Sequence, residues 1–229
     1  MTYYAMIEFD NLERDVRQSD LLSHPFFERF RNGTLTRDQL KLFTSQQYHF
    51  SHTFPRCIAG LYAQMPGYSA SYPLITHFLS VEPWGNENPQ SHSNLFKQWM
   101  QTLGLEEHEG DLPLYPETQR FLEQRLDLCT SRDYHVGLGS LAYGHEFVNQ
   151  FIFAVYLGGL QKMGFPVEQL DYFSAHVHDE CADYIILRDM IIATAHNNSH
   201  MESVRFGARK TLAERILFLD ALDARLQST

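Results

Sequence analysis

Apolar residues recur three and four positions apart along almost the whole chain, and no stretch alternates apolar with polar residues long enough to read as a strand. Stripes of this kind are buried by packing helix on helix, so the sequence predicts an all-α fold. Helix boundaries are marked by local chemistry. Thr36-Arg37-Asp38-Gln39 is a capping box: the Thr hydroxyl can accept from the amide three residues on while the Gln side chain reaches back. The helix it opens should run to about Met65, where Pro66-Gly67 stops it. Ser199-His200-Met201-Glu202 repeats the pattern and should open the last helix, through Leu212 and Leu219 toward the C-terminus. Between these, helices are expected near Asn11 to Leu22, at Pro25 to Arg31, and from about Ser71 to a break near Pro83-Trp84-Gly85. Others are expected from about Ser91 to Leu103, Pro116 to Cys129, Tyr134 to Met163 and Leu170 to Ala195. Loops are short, the longest running from Leu105 to Tyr115, and no linker or repeat divides the sequence. The expectation is one domain over residues 1–229, a single bundle of seven or eight helices.

Composition narrows the partners. The formal charge is −10, which disfavours a general attraction to nucleic acid or anionic lipid and leaves small molecules and metals. Cys57, Cys129 and Cys181 are widely spaced and odd in number, so they form neither a disulfide framework nor a metal knuckle. That usage suits a reducing cytoplasm. Met1 to Leu12 carries acids and no apolar core of a signal peptide. The most apolar stretch, Phe147 to Gln161, holds Asn149, Gln150 and two glycines and falls short of the roughly 20 residues that span a bilayer. No membrane segment is expected.

The chemistry lies in ionisable residues set inside apolar helices. On the helix from about Leu170, His176, Glu180 and Asp183 stand at i, i+4 and i+7, which puts one imidazole and two carboxylates on a single face. His178 lies roughly 200° around the helix from His176 and should point away. Glu146 sits among Leu141, Ala142, Tyr143, Phe147 and Phe151, where a buried carboxylate needs a partner such as a metal. Glu82 ends a broken helix, and His92 follows across a Pro- and Gly-containing span that could fold back on it. Helical bundles build carboxylate-bridged dinuclear sites from Glu and His converging on facing helices. The candidate ligand set is therefore Glu82, His92, Glu146, His176, Glu180 and Asp183. Its four carboxylates balance two divalent ions, and so oxygen-rich a set suits iron or manganese better than structural zinc. The competing reading is an ordinary polar helix face, with Phe26, Phe27, Phe50, Phe54 and Phe151 as plain core. Serine-nucleophile, Walker-A and dinucleotide-binding patterns are missing, and nothing ties a cysteine to a histidine dyad.

The order and spacing of these residues resemble the haem-oxygenase-like dimetal oxidases, and most closely their CADD-like and TenA/PqqC-like members. The likeness runs over nearly the whole chain. It rests on His24-Pro25-Phe26-Phe27, on Gly33 to Leu40 with Phe54-Pro55, on Glu82 with His92 and Leu95-Phe96, on Tyr143-Gly144-His145-Glu146, and on Tyr172-Phe173 before His176. One departure stands out: the family's last ligand motif usually ends in His, and here that position is Asp183. The outcome of that exchange is either a harder four-carboxylate, two-histidine set or a weakened second metal position. Some CADD-like members make para-aminobenzoate from tyrosines of their own chain. Two of those positions are Phe27 and Phe43 here and a family lysine falls at Tyr156, although Tyr172 matches.

What the resemblance implies is a non-haem di-iron oxidase or oxygenase. Two Fe ions, or Mn or a mixed Fe/Mn pair, would activate O2 as co-substrate at the expense of an external reductant. The substrate would be a small amino acid, amine or carboxylate undergoing C–H or N–H oxidation or C–C cleavage. Tyr143 and Tyr172 are the candidate catalytic residues, with Tyr156 a further aromatic near the pocket. Homodimers are common among such folds. Two other readings belong to different classes: a partner-binding helical module without catalysis, and a TenA-like metal-free hydrolase, which would need a catalytic cysteine.

Overall fold

The computed structural model describes residues 3–82, 85, 87–105 and 112–228, with side chains at all but 3–7, 68, 81 and 178–181. Among the described residues the regular structure is all helical. α1 (Tyr3–Arg17) leads through a 3-10 turn (Asp20–Ser23) to α2 (Pro25–Asn32) and α3 (Arg37–Gln64). α4 (Tyr68–Pro73), a π-helical segment (Leu74–Phe78) and α5 (Leu79–Val81) form one run over 68–81. α6 (His92–Leu103) and α7 (Pro116–Cys129) follow. α8 (Tyr134–Leu141), a second π-helical segment (Ala142–Phe147) and α9 (Val148–Lys162) form a run over 134–162. α10 (Asp171–Thr194) and α11 (Asn198–Gln227) complete nine helical runs among the described residues, close to the seven or eight expected. No helix among the described residues is long and apolar enough to cross a membrane.

The local chemistry explains most boundaries and corrects two. The Thr36 box is formed as expected, the Gln39 amide donating to Thr36 Oγ1 at 3.2 Å and the Thr36 amide to Gln39 Oε1 at 3.0 Å. Gly33 closes α2 with φ of 64°, a left-handed conformation that glycine adopts at little cost. α1 begins at Tyr3 rather than near Asn11, because the buried stripe Phe9, Leu12, Val16 starts before Asn11. The last helix opens at Asn197, not Ser199: the Asn197 side chain accepts from the His200 amide at 3.0 Å, and Asn caps as well as Ser. Pro83 and Trp84, where the break was expected, and Glu106 to Asp111 in the longest loop lie outside the described residues.

One cluster of buried side chains extends from Phe9 in α1 to Leu226 in α11. The run 134–162 passes through its middle, with every residue from 135 to 149 buried. α11 packs along α8, α10 lies against the second π segment and α9, and α3 lies against α6 and α7. Any polar side chain projecting from residues 135–149 is thus held away from bulk water.

Candidate metal centre

A small buried cavity opens where four of these elements meet. Glu82, His92, Glu146, His176 and Asp183 all line it. They come from the end of the run 68–81, the first residue of α6, the second π segment and α10. The side chain of Glu180, the sixth expected ligand, lies outside the described residues, as do those of His178 and Cys181. Phe50, Phe54 and Phe153 supply the apolar wall. The free volume is about 20 Å³, room for a water or an ion but for nothing larger without movement.

Each group is placed by its own element. Ser91 caps α6 by accepting from the Asn94 amide at 3.3 Å, which fixes His92 at the first turn. His92 Nδ1 then lies 2.7 Å from Glu82 Oε1, so the chain does fold back across the intervening span. The His92 and His176 rings face each other with centroids 4.3 Å apart. His176 Nδ1 lies 2.7 Å from the Tyr172 carbonyl oxygen, which only accepts, so Nδ1 carries the hydrogen and Nε2 keeps its lone pair. Phe153 stacks on this ring at 4.2 Å. Burial, with His92 adding to it, holds His176 well below the ordinary imidazole range, so the ring is neutral, the state a metal ligand needs.

Glu146 projects from the π segment at 3% exposure, with His145 Nε2 3.9 Å from its Oε1. His145 lies against the rings of Phe50 and Phe54, at 5.2 and 4.5 Å, and burial together with Arg125 and Arg215 keeps it neutral. Asp183, 5% exposed, meets His77 Nε2 through Oδ1. That bond raises the His77 pKa above its ordinary value. Sequence reasoning singled out neither His77 nor His145 as a site residue. Both sit in π-helical segments, where an extra residue per turn shifts the register and defeats a helical wheel.

The expected tyrosines separate. Tyr172 lines the cavity, its hydroxyl 3.3 Å from Ser51 Oγ. Tyr143 is fully buried and faces the other way, its hydroxyl 3.3 Å from that of Tyr184, which in turn donates to Glu13 at 2.6 Å. Tyr156 stands in an aromatic cluster with Phe30 and Phe43, at 4.6 and 5.1 Å, outside the cavity lining. Cys57 and Cys129 are buried and line no part of the cavity, so neither can serve as its nucleophile.

Among the described residues, no three His, Cys, Asp or Glu side chains are gathered closely enough to be a finished metal triad. The donor chemistry nevertheless fits iron. The cavity offers carboxylate oxygens and neutral imidazoles, the ligands of non-haem iron and manganese, and neither described cysteine. Three carboxylates in one buried space repel one another and lose their hydration, so the ionised set is stable only with positive charge among them.

Comparison with known proteins agrees with that chemistry. A 4-aminobenzoate synthase of Chlamydia pneumoniae is 25% identical over 167 residues, covering 72% of this chain and 72% of that protein. A protein with a heme oxygenase-like fold from Shewanella denitrificans superposes with a TM-score of 0.80 at 18% identity, covering 96% of this chain and 93% of the other. A CADD-like protein from Nostoc punctiforme gives 0.79 at 13% identity, covering 98% and 99%. The sequence pattern of one family spans residues 41–215, from α3 to α11 and so across Glu82, His92, Glu146, His176, Glu180 and Asp183. The chain therefore belongs to the iron-containing redox enzyme family, on the haem-oxygenase-like fold, and is an oxidoreductase.

Proposed function

We propose that Glu82, His92, Glu146, His176, Glu180 and Asp183 hold two iron ions, and that the enzyme uses O2 to oxidise a small amine, amino acid or carboxylate. The observation that carries this reading is the convergence of five of the six groups, from elements far apart in sequence, on one buried cavity. When bound, the iron supplies the redox chemistry, passing electrons from substrate and an external reductant to O2.

The chain's own residues do the rest. His176 presents Nε2 with its tautomer set by the Tyr172 carbonyl, and His92 is oriented by Glu82. Phe50, Phe54 and Phe153 exclude water, which strengthens every charge interaction inside the cavity. The Tyr172 hydroxyl, beside Ser51, is placed to hold a polar group of the substrate or to move a proton at Oη. Phe27 and Phe43 lack hydroxyls and pack, with Tyr156, in an aromatic cluster off the cavity. This supports an external substrate over one drawn from the chain's own side chains.

The test is anaerobic reconstitution with ferrous iron, then metal analysis and O2 uptake. About two irons per chain and O2 consumption after reduction are expected. Glu146→Ala and His176→Ala should each remove metal. A wild-type chain that takes up no iron, or variants with undiminished metal content, would overturn the assignment.

A further inference from the structure

We propose that His77 is a positioning residue: it stands behind Asp183 and fixes that carboxylate as the outer wall of the metal centre. The inference rests on the metal reading above. It starts from an asymmetry of exposure. Asp183 is buried and lines the cavity, whereas the His77 side chain is 39% exposed and lines no part of it. The path outward therefore runs from cavity to Asp183 Oδ1, then to His77 Nε2, then to solvent.

A half-exposed imidazole can be satisfied by water, so burial does not force this pairing. The need is on the other side. A buried carboxylate loses its hydration and must find donors or positive charge. Among the described residues His77 is the side chain that meets Asp183 in this structure. Asp is also the shortest acid, with one rotatable bond fewer than Glu. From a helix it covers less distance toward a central ion, and its direction matters correspondingly more. By accepting at Oδ1 from His77, Asp183 has one oxygen committed outward and Oδ2 left for a cation. Hydrogen bonds to a ligating carboxylate have this orienting role in metal sites generally.

Local structure shows how the imidazole gets there. His77 lies inside the π-helical segment Leu74–Phe78, directly after Pro73, on the same run that ends in Glu82. A π turn inserts one residue into the helical register and is frequent at functional sites. In that run α4 packs on α10 and the π segment itself on α3, and His77 reaches Asp183 of α10 from that segment. One short run thus delivers Glu82 to the cavity directly and His77 to it through Asp183.

The experiment compares His77→Ala and His77→Gln with the wild type by titrating the metal-free protein with Mn(II), following bound metal by EPR. His77 is partly exposed, and the folding of each variant is checked by its circular dichroism and unfolding midpoint. His77→Ala should weaken one of the two metal positions about 10- to 100-fold while leaving the other within a few-fold. His77→Gln, whose amide N–H can still donate to Asp183, should recover most of that loss. Unchanged Mn(II) affinity in a folded His77→Ala overturns the inference. So does failure of His77→Gln to recover any of it, since that would make the imidazole itself the ligand. The wild-type titration separates the two levels. No Mn(II) uptake there removes the metal reading and this inference together, whereas two ions bound by the wild type, and bound by His77→Ala with wild-type affinity at both positions, remove this inference alone.

Discussion

Alanine in place of glycine should act with opposite sign at two positions of the same central run, and the contrast tests the packing that holds Glu146. At Gly139 in α8, a Cβ would lie 2.0 Å from the Val204 carbonyl oxygen of α11 and 2.7 Å from its carbon. Gly207 mirrors it, its Cβ falling 1.9 Å from the Val136 carbonyl oxygen. Both obstructing atoms are helical backbone, so no side chain can rotate out of the way. Bringing the Gly139 contact out to the shortest Cβ distance seen in proteins, 3.0 Å, means parting the helices by about 1 Å. Overpacking of this kind costs about 1–3 kcal/mol and sometimes more, against a helix-propensity gain of about 1 kcal/mol. A net loss of about 2 kcal/mol or more is expected for Gly139→Ala. Gly158 in α9 has nothing within 4 Å of a built Cβ, so there only propensity counts and Gly158→Ala should stabilise by about 0.5–1 kcal/mol. Urea unfolding of the metal-free proteins measures both, through midpoints at constant m. Because Glu146 follows Gly139 by seven residues, about 10 Å along the axis, Gly139→Ala should also weaken iron uptake while Gly158→Ala does not. A Gly139→Ala protein as stable as the wild type would refute the close approach of α8 and α11, and with it the account of how Glu146 is held.

Four further outcomes follow from the same contacts. Removing metal with a chelator should lower the unfolding temperature, because at metal 100-fold above its Kd the folded state gains about 2.7 kcal/mol, worth about 5–10 °C for a chain of this size; a melting curve indifferent to metal would count against binding in the core. Tyr172→Phe should leave metal content unchanged and cost substrate-dependent O2 uptake about tenfold or more, and unaltered turnover would remove Tyr172 from the proton or substrate pathway. Thr36→Ala, which deletes the α3 cap, should cost about 1 kcal/mol in urea unfolding. Stability should also fall as pH drops below 6.5. Burial lowers the His135 pKa and outweighs the bonds to Thr194 O and Asp133, which favour the cation, so the folded state stays neutral where the unfolded chain takes up a proton. Its contribution is complete above 6.5 and is lost as pH falls toward the depressed folded value, with a slope of at most about 1.4 kcal/mol per pH unit. His135→Gln should flatten that slope, and an unchanged slope would assign it to other groups.

How much of this was legible in the sequence depends on whether the chain obeys a simple period. α10 does: His176 and Asp183, at i and i+7, reach one cavity as the wheel requires. The Thr36 box and the fold-back of His92 onto Glu82 were legible too, because capping and chain reversal are short-range chemistry. What escaped was of two kinds. Gly139 and Gly207 look like poor helix formers one at a time, and only the fold pairs each with a carbonyl of the other's helix. His77 and His145 escaped because both sit in π-helical segments, and the spacing of apolar residues does not announce an inserted residue. The same insertions lie where the candidate ligands converge, one holding Glu146 and the other leading into Glu82. A regular α-helix turns each successive side chain by about 100°, and an inserted residue shifts that phase for everything that follows. In the central run, the break at Ala142–Phe147 lies between α8, which packs against α11, and α9, and it carries Glu146 into the cavity. The two histidines that periodicity does not announce, His77 and His145, thus stand in or beside the candidate site, as expected where function departs from local regularity.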